Sequence, residues 1–155
     1  MIEKISHKKN IFGFILRYKK KNGVNFLTPN HLSHQVAFIK HKKKHLIKPH
    51  KHFKNIRKIE YTSEVLIIVK GKLRVDFYSK SEKYLFSKLI AKNDIIILNN
   101  GGHGFKVLEA VEMIEVKQGP YNLKMDKKVF ASVEDSKVLI KWYLLTSQLS
   151  QKKMH

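Results

Sequence analysis

Apolar residues in this chain come in short runs broken by polar, glycine-bearing turns. Ile11–Arg17 predicts a first strand. Tyr18–Gly23 predicts a basic turn ending in Asn22-Gly23, a hairpin signature that would lead into a strand over Val24–Thr28, stopped by Pro29-Asn30. Gln35–Lys40 predicts a strand in the same sheet. Glu64–Val69 and Lys72–Tyr78 predict a hairpin across Gly71. In its second arm Leu73, Val75 and Phe77 alternate with Arg74, Asp76 and Tyr78, the period of a half-buried strand. The first arm is apolar on both faces, so one face should fill a lumen and the other should lie under a second sheet or a second subunit. Tyr84–Ile90 and Ile95–Leu98 predict further strands. Gly104–Leu108 and Val111–Lys117 predict a hairpin around Glu109-Ala110. Short strands with turns at close intervals argue for an all-β sandwich or barrel. The end of the chain changes period. Val138, Leu139, Trp142, Leu145 and Leu149 have helical spacing and predict a helix over Lys137–Leu149. The reading is therefore a barrel over residues 1–130 and a helical extension over residues 131–155.

A chain of 155 residues has the length of one domain with its own core. No cysteine is present, which excludes disulfides and thiolate ligands. No apolar run approaches the roughly 18 residues of a membrane span. Met1–Asn10 is rich in Lys and His and has no apolar core of a signal peptide, so the expected location is the cytoplasm, with no membrane partner. The net charge of +20 suggests a polyanion partner. Yet Arg17, Arg57 and Arg74 are the only arginines among 32 basic residues, and base-specific contacts favour the guanidinium fork. The charge reads as solvated surface with no specific nucleic-acid site. His41 and His45, and His31 and His34, likewise read as surface residues.

Candidate chemistry lies between Pro49 and His103. His50 and His52 are two apart, so on a strand both imidazoles would face one ion. Glu64 opens an apolar run that ends at Gly71, and His103 follows Gly101-Gly102. Three neutral imidazoles and one carboxylate suit a divalent transition metal with open positions. Arg57 lies in the polar stretch before Glu64 and would pair with an anionic substrate or with Glu60. Glu115 and Lys117 share one face of a strand and either line a pocket or pair outside it. Tyr121 follows Gly119-Pro120 and would close a rim or pack in the core.

His50-x-His52 followed by Glu64, six residues and Gly71 resembles the first cupin motif. Asn93–His103 resembles the second. Arg57, Glu64-Val65-Leu66, Val75–Tyr78, Gly101–Phe105 and Met113–Tyr121 resemble a group of small bacterial cupins often met among surface-polysaccharide genes, over roughly Phe12 to Phe130. Two features depart from the pattern. Eleven residues, Phe53 to Ser63, separate His52 from Glu64, which makes Glu60 a rival ligand. In the second motif Asn93 and Asn99 stand where Gly and Pro are usual, and one residue is missing before the histidine. The resemblance implies an all-β cupin jelly-roll barrel. It also implies one divalent metal (iron, manganese, nickel or zinc) on His50, His52, Glu64 and His103. The implied function is a metal-dependent isomerase, epimerase or lyase acting on a small carbohydrate-related or anionic substrate, with a homodimer as its form. A non-catalytic metal- and ligand-binding module and an iron-dependent dioxygenase are the alternatives. A metal-free sugar epimerase of this fold would need a histidine–aspartate base pair in the lumen, and the sequence identifies none.

The charge reading has a direct check. Binding to DNA should be weak, indifferent to sequence and steeply lost as salt rises. A sequence-selective complex of nanomolar affinity at physiological salt would overturn it.

Overall fold

The computed structural model describes residues 1–17, 21–120, 122 and 126–142. Among these residues there are eight strands: β1 (Ile2–His7), β2 (Asn10–Arg17), β3 (Gly23–Phe26), β4 (Ala37–Lys40), β5 (Glu64–Tyr78), β6 (Tyr84–Ala91), β7 (Asp94–Leu98) and β8 (Gly102–Lys117). Six of them form one antiparallel sheet in the order β1-β2-β7-β5-β6, with β8 also pairing β5. The protein is all-β, and the main sheet curls into a half-barrel.

The curl follows from one long strand. Gly71 does not close a hairpin. β5 runs unbroken for 15 residues and pairs with β8 from Glu64↔Lys117 to Tyr78↔Gly102. Its first part, Glu64–Ile67, also pairs with β7, and its second part, Lys72–Tyr78, pairs with β6. Leu98 is thus opposite Glu64, while Gly102 is opposite Tyr78. Asn99, Asn100 and Gly101 join them, and four residue steps reach at most about 14 Å. A straight strand of this length would span about 50 Å. β5 must therefore bend until its ends stand within roughly 25 Å of each other.

The bend sits at Gly71, whose φ is +81°, a region that residues with a Cβ seldom occupy. A Cβ at Gly71 would lie 2.1 Å from the Ala110 carbonyl oxygen. Ladder irregularities between Ile68 and Leu73 change which residues face inward. Leu66 and Ile68 point into the core before the bend, and Leu73, Val75 and Phe77 after it. The turn between β6 and β7 braces the bend: Lys92 N–H donates to the Gly71 carbonyl at 3.1 Å and Asn93 N–H to the Ile68 carbonyl at 2.8 Å. The same bend explains why the expected hairpin at Glu109-Ala110 is instead one strand, β8, which follows β5 around the corner.

Ile5, Phe12, Ile15, Phe86, Ile90, Ile96 and Leu98 complete the core on the concave side. Each fully buried side chain of this size contributes about 1.5–3 kcal/mol. A second cluster covers the other face of β5, where Val65 packs with Phe14, Leu16 and Ile97 under Leu27, Leu32 and Val36.

Three further elements differ from expectation. β1 was not anticipated in the Lys- and His-rich start, because one of its two buried residues is Glu3. That carboxylate is held by Arg17 at 2.8 Å and by Lys88 of β6 at 2.5 Å, so the pairing draws β1 towards β6. β2 and β3, on either side of Asn22, do not pair as a hairpin. β2 pairs with β1 and β7, and β3 pairs with β4 in a separate two-stranded sheet. At the C-terminal end, Asp135–Lys137 form a single 3-10 turn, and residues 138–142 are extended where a helix was expected. Ile140 makes a parallel bridge to Ser87 on the edge of β6, with Ser87 N–H donating to the Leu139 carbonyl and Lys141 N–H to the Ser87 carbonyl. A free strand edge thus outcompetes the helical periodicity of this stretch. Residues 143–149 of the expected helix lie outside the described residues.

The same C-terminal segment lies over a buried ionic cluster on the convex face. Arg74 grips both carboxylate oxygens of Asp76, at 2.8 and 3.0 Å, and donates to Asp135 at 2.8 Å. The Ser87 hydroxyl donates to Asp76 as well. These bonds raise the Arg74 pKa above its ordinary value, the Asp76 hydrogen bonds first among the causes. Asp135 also pairs with Lys106.

The bend can be tested by one methyl group. Gly71→Ala meets both the φ penalty and the Ala110 carbonyl, and should cost at least about 2 kcal/mol. Thermal unfolding should then begin at least about 4 °C lower for a chain of this size. An unchanged melting temperature would show that β5 does not depend on this turn.

Candidate functional site

Residues directly opposite each other in a sheet share a face. Phe77 points into the core, so its partner His103 does too; Leu66 does, so its partner Glu115 does as well. Glu64 and its partner Lys117 continue that face at the mouth of the half-barrel. Because β5 folds back, its two ends place these residues around a common space. The result is a cavity of about 630 Å³ lined by Glu64, His103, Glu115, Lys117, Tyr61 and Phe130, among others.

At its centre Glu64 Oε2 lies 3.0 Å from His103 Nε2. The two residues are 39 apart in sequence. The Glu64 carboxyl is held below its ordinary value of 4.5, first by the hydrogen bond from His103. The charges of His103, Lys117 and Lys127 act in the same direction, and burial opposes them. An ionised carboxylate only accepts hydrogen bonds, so in this contact His103 Nε2 is the donor. Lys117 sits beside the pair and reaches Glu115 at 3.3 Å. Ser63, next to Glu64, is buried, and its N–H donates to Gln118 Oε1 at 2.7 Å. That bond ties the start of β5 to the residue following β8. In the cavity wall Asn99 Nδ2 is buried without a hydrogen-bond partner among the described residues.

The expected site residues separate into two groups. Glu64, His103, Glu115 and Lys117 converge on the cavity. His50, His52, Arg57 and Glu60 do not: all four lie on the exposed segment of residues 41–62, which has no regular secondary structure. The His50 and His52 rings are 5.4 Å apart, with His50 Nδ1 3.0 Å from the Lys48 carbonyl. They are on no strand and do not line the cavity. Glu60 pairs with Lys58 at 3.4 Å, in the open, so the carboxylate set against His103 is that of Glu64. Among the described residues no group of three or more His, Cys, Asp or Glu side chains gathers around one point. The donors at the cavity thus fit two positions of a metal shell, and the histidine pair does not fit as placed. Tyr121 lies outside the described residues.

Comparison with protein-family models, curated proteins and solved structures finds no match for this chain. Among the described residues no helix is long and apolar enough to cross a membrane.

The wall also contains residues that no sequence motif marked. Residues 126–132 form one side, including Lys127, Lys128 and Phe130. Phe130 packs edge-on to Tyr78, the last residue of β5, with ring centroids 5.1 Å apart. These positions have no periodicity, and only the fold brings them to the mouth.

The Glu64–His103 bond gives a pH signature. A carboxyl whose folded pKa is depressed stabilises the fold fully above its unfolded value, and the gain is lost as pH falls through the folded value. The stability difference between wild type and Glu64→Gln should be largest near neutrality and should shrink below about pH 4.5. Thermal melts of both proteins between neutral and acidic pH measure it. A difference constant with pH would mean that the ionised carboxylate has no part in it.

Proposed function

We propose that this chain is a cupin-type enzyme that moves a proton on a small, carbohydrate-related anionic substrate, by isomerisation or epimerisation, at the Glu64–His103 pair. The observation that carries the reading is the 3.0 Å contact between a depressed carboxylate and an imidazole inside a cavity. A carboxylate that fixes the tautomer and orientation of a histidine makes its other nitrogen an effective general base. The substrate class rests on the resemblance to small bacterial cupins. The anionic preference rests on Lys117, Lys127 and Lys128 around the cavity.

In the proposed reaction the C–H bond next to a substrate carbonyl breaks and its proton passes to His103 Nδ1. The electron pair moves onto the carbonyl oxygen. Lys117 stands where a cation can offset that negative charge, and Glu64 stabilises the imidazolium that forms. Return of the proton to a neighbouring atom, or to the opposite face, gives the isomer or the epimer and restores the neutral ring.

The metal reading draws on the same pair. Neighbouring ligands each about 2.1 Å from an octahedrally coordinated ion stand about 3.0 Å apart, which is the Glu64–His103 separation. Glu64 and His103 would hold the ion, with His50 and His52 joining only from a different position of residues 41–62. Bound there, a divalent ion would supply a Lewis acid for the substrate oxygen.

The test is solvent-deuterium exchange into a panel of sugar phosphates and nucleotide sugars, followed by NMR, alongside elemental analysis of the protein. Deuterium should enter one carbon of a substrate, and His103→Ala should slow this by about 10²–10⁴-fold. Metal that survives dialysis and is lost from both His103→Ala and Glu64→Gln would add the ion to the site. Ligand binding without exchange would make the chain a binding module. Neither binding nor exchange with any of the panel would overturn the proposal.

A further inference from the structure

From Lys4 to Ile59 the chain contains no Asp or Glu, and that stretch holds 16 of the 32 Lys and Arg. Nine of them lie between Lys40 and Lys58, on the end of β4 and the exposed segment of residues 41–62. Among the described residues, the contact of Lys58 with Glu60 is the one ion pair of this run. All 12 Asp and Glu of the chain are described residues, so the rest of the chain brings no carboxylate to neutralise it.

Apolar side chains are exposed in the same region, and alternation along β3 and β4 decides their face. Val24 is opposite Ile39 and two residues from Phe26, so the three share a face. They are 52% to 64% exposed. Asn25 and its partner Phe38 face the other way and are half-buried. Leu27 and Val36 continue that second face and pack against the cluster around Val65. The small sheet thus has one side on the barrel and an apolar side in solvent. Beyond β4, Leu46, Ile47, Phe53 and Ile56 are 60% to 92% exposed.

We propose that this outer face of β3–β4 and the basic segment that follows it dock on an anionic lipid bilayer. The lysines meet the phosphates of the headgroups, and the apolar side chains enter the boundary with the acyl chains. A nucleic acid would satisfy the lysines alone. It stacks its bases on aromatic rings, and five of these seven exposed apolar residues are aliphatic. The lack of a spanning run, on which the expectation of no membrane partner rests, bears on crossing a bilayer and not on lying against its surface. None of these residues lines the cavity, so the inference stands whether or not the cavity is catalytic.

The full chain should sediment with vesicles of phosphatidylcholine containing about one third phosphatidylglycerol at physiological salt, and not with phosphatidylcholine alone. Changing Lys42, Lys43 and Lys44 together to Gln should weaken this binding at least about 10-fold, while the same change at Lys80, Lys83 and Lys92, in the turns flanking β6, should leave it within about 2-fold. Phe53→Ser with Ile56→Ser, outside regular secondary structure, should also weaken vesicle binding at least about 10-fold and leave the weak binding to DNA as it is. Because the chain has no cysteine, Phe53→Cys can be labelled alone with an environment-sensitive dye, whose emission should shift to the blue on the anionic vesicles. Equal binding to both vesicle types, or none to either, would overturn the inference. So would binding that falls equally in the two lysine triples, since the charge of the whole chain would then suffice. Vesicle binding that the two serines leave unchanged would overturn it as well.

Discussion

At Gly71 the backbone of β5 passes so close to Ala110 that no Cβ fits between them, and it does so with a φ that favours glycine. Most of the half-barrel depends on this contact. Because the strand turns there, it has one neighbour, β8, along its whole length and two on its other side, β7 before the corner and β6 after it. Both halves of β5 then face one core. A straight strand would leave Leu66 and Ile68 in one layer and Leu73, Val75 and Phe77 in another, with no interior to fill.

The bend also makes the cavity. Glu64 and His103 are brought together because opposite ends of the same ladder return to the same place. The concave side is apolar at depth and charged at the mouth. The convex side has its own buried charges, where Arg74 and Asp76 satisfy each other bidentately and the C-terminal segment lies over them. Breaking one member of such a pair leaves an uncompensated charge, at about 3–5 kcal/mol. The segment over residues 133–141 is therefore part of the barrel wall. Its backbone bonds to Tyr78, Tyr84 and Ser87 set it against the same strands that line the cavity on their other face.

The two faces illustrate how charge is sorted in a chain of +20. Most lysines among the described residues stay in solvent, while Lys88 is drawn in to the buried Glu3. The arginines described at the barrel, Arg17 and Arg74, each engage a carboxylate at 2.8 Å. A planar fork can satisfy a carboxylate at two points where an ammonium meets it at one, which suits arginine to the buried position.

The sequence by itself determined the β content, the positions of most strands and the pairing of polar with apolar faces, because strand alternation is a local property with period two. It named Glu64 and His103, with His50 and His52, from motif spacing, and Glu115 and Lys117 from their shared strand face; that Glu64, His103, Glu115 and Lys117 line one cavity is a matter of the tertiary structure. It did not reveal that Gly71 bends a strand and does not end it. Both uses need the same positive φ, and only the partner strand running past both halves distinguishes them. Residues 138–142 have helical spacing yet lie extended, because the unpaired edge of β6 satisfies their backbone better than an isolated turn. His50-x-His52 made a metal-ligand pattern on paper, but its two-residue period has meaning only on a strand, and no strand forms there. Which carboxylate meets His103 was decided by the tertiary structure: Glu60 and Glu64 are four residues apart, and only Glu64 has entered the ladder that returns to the mouth.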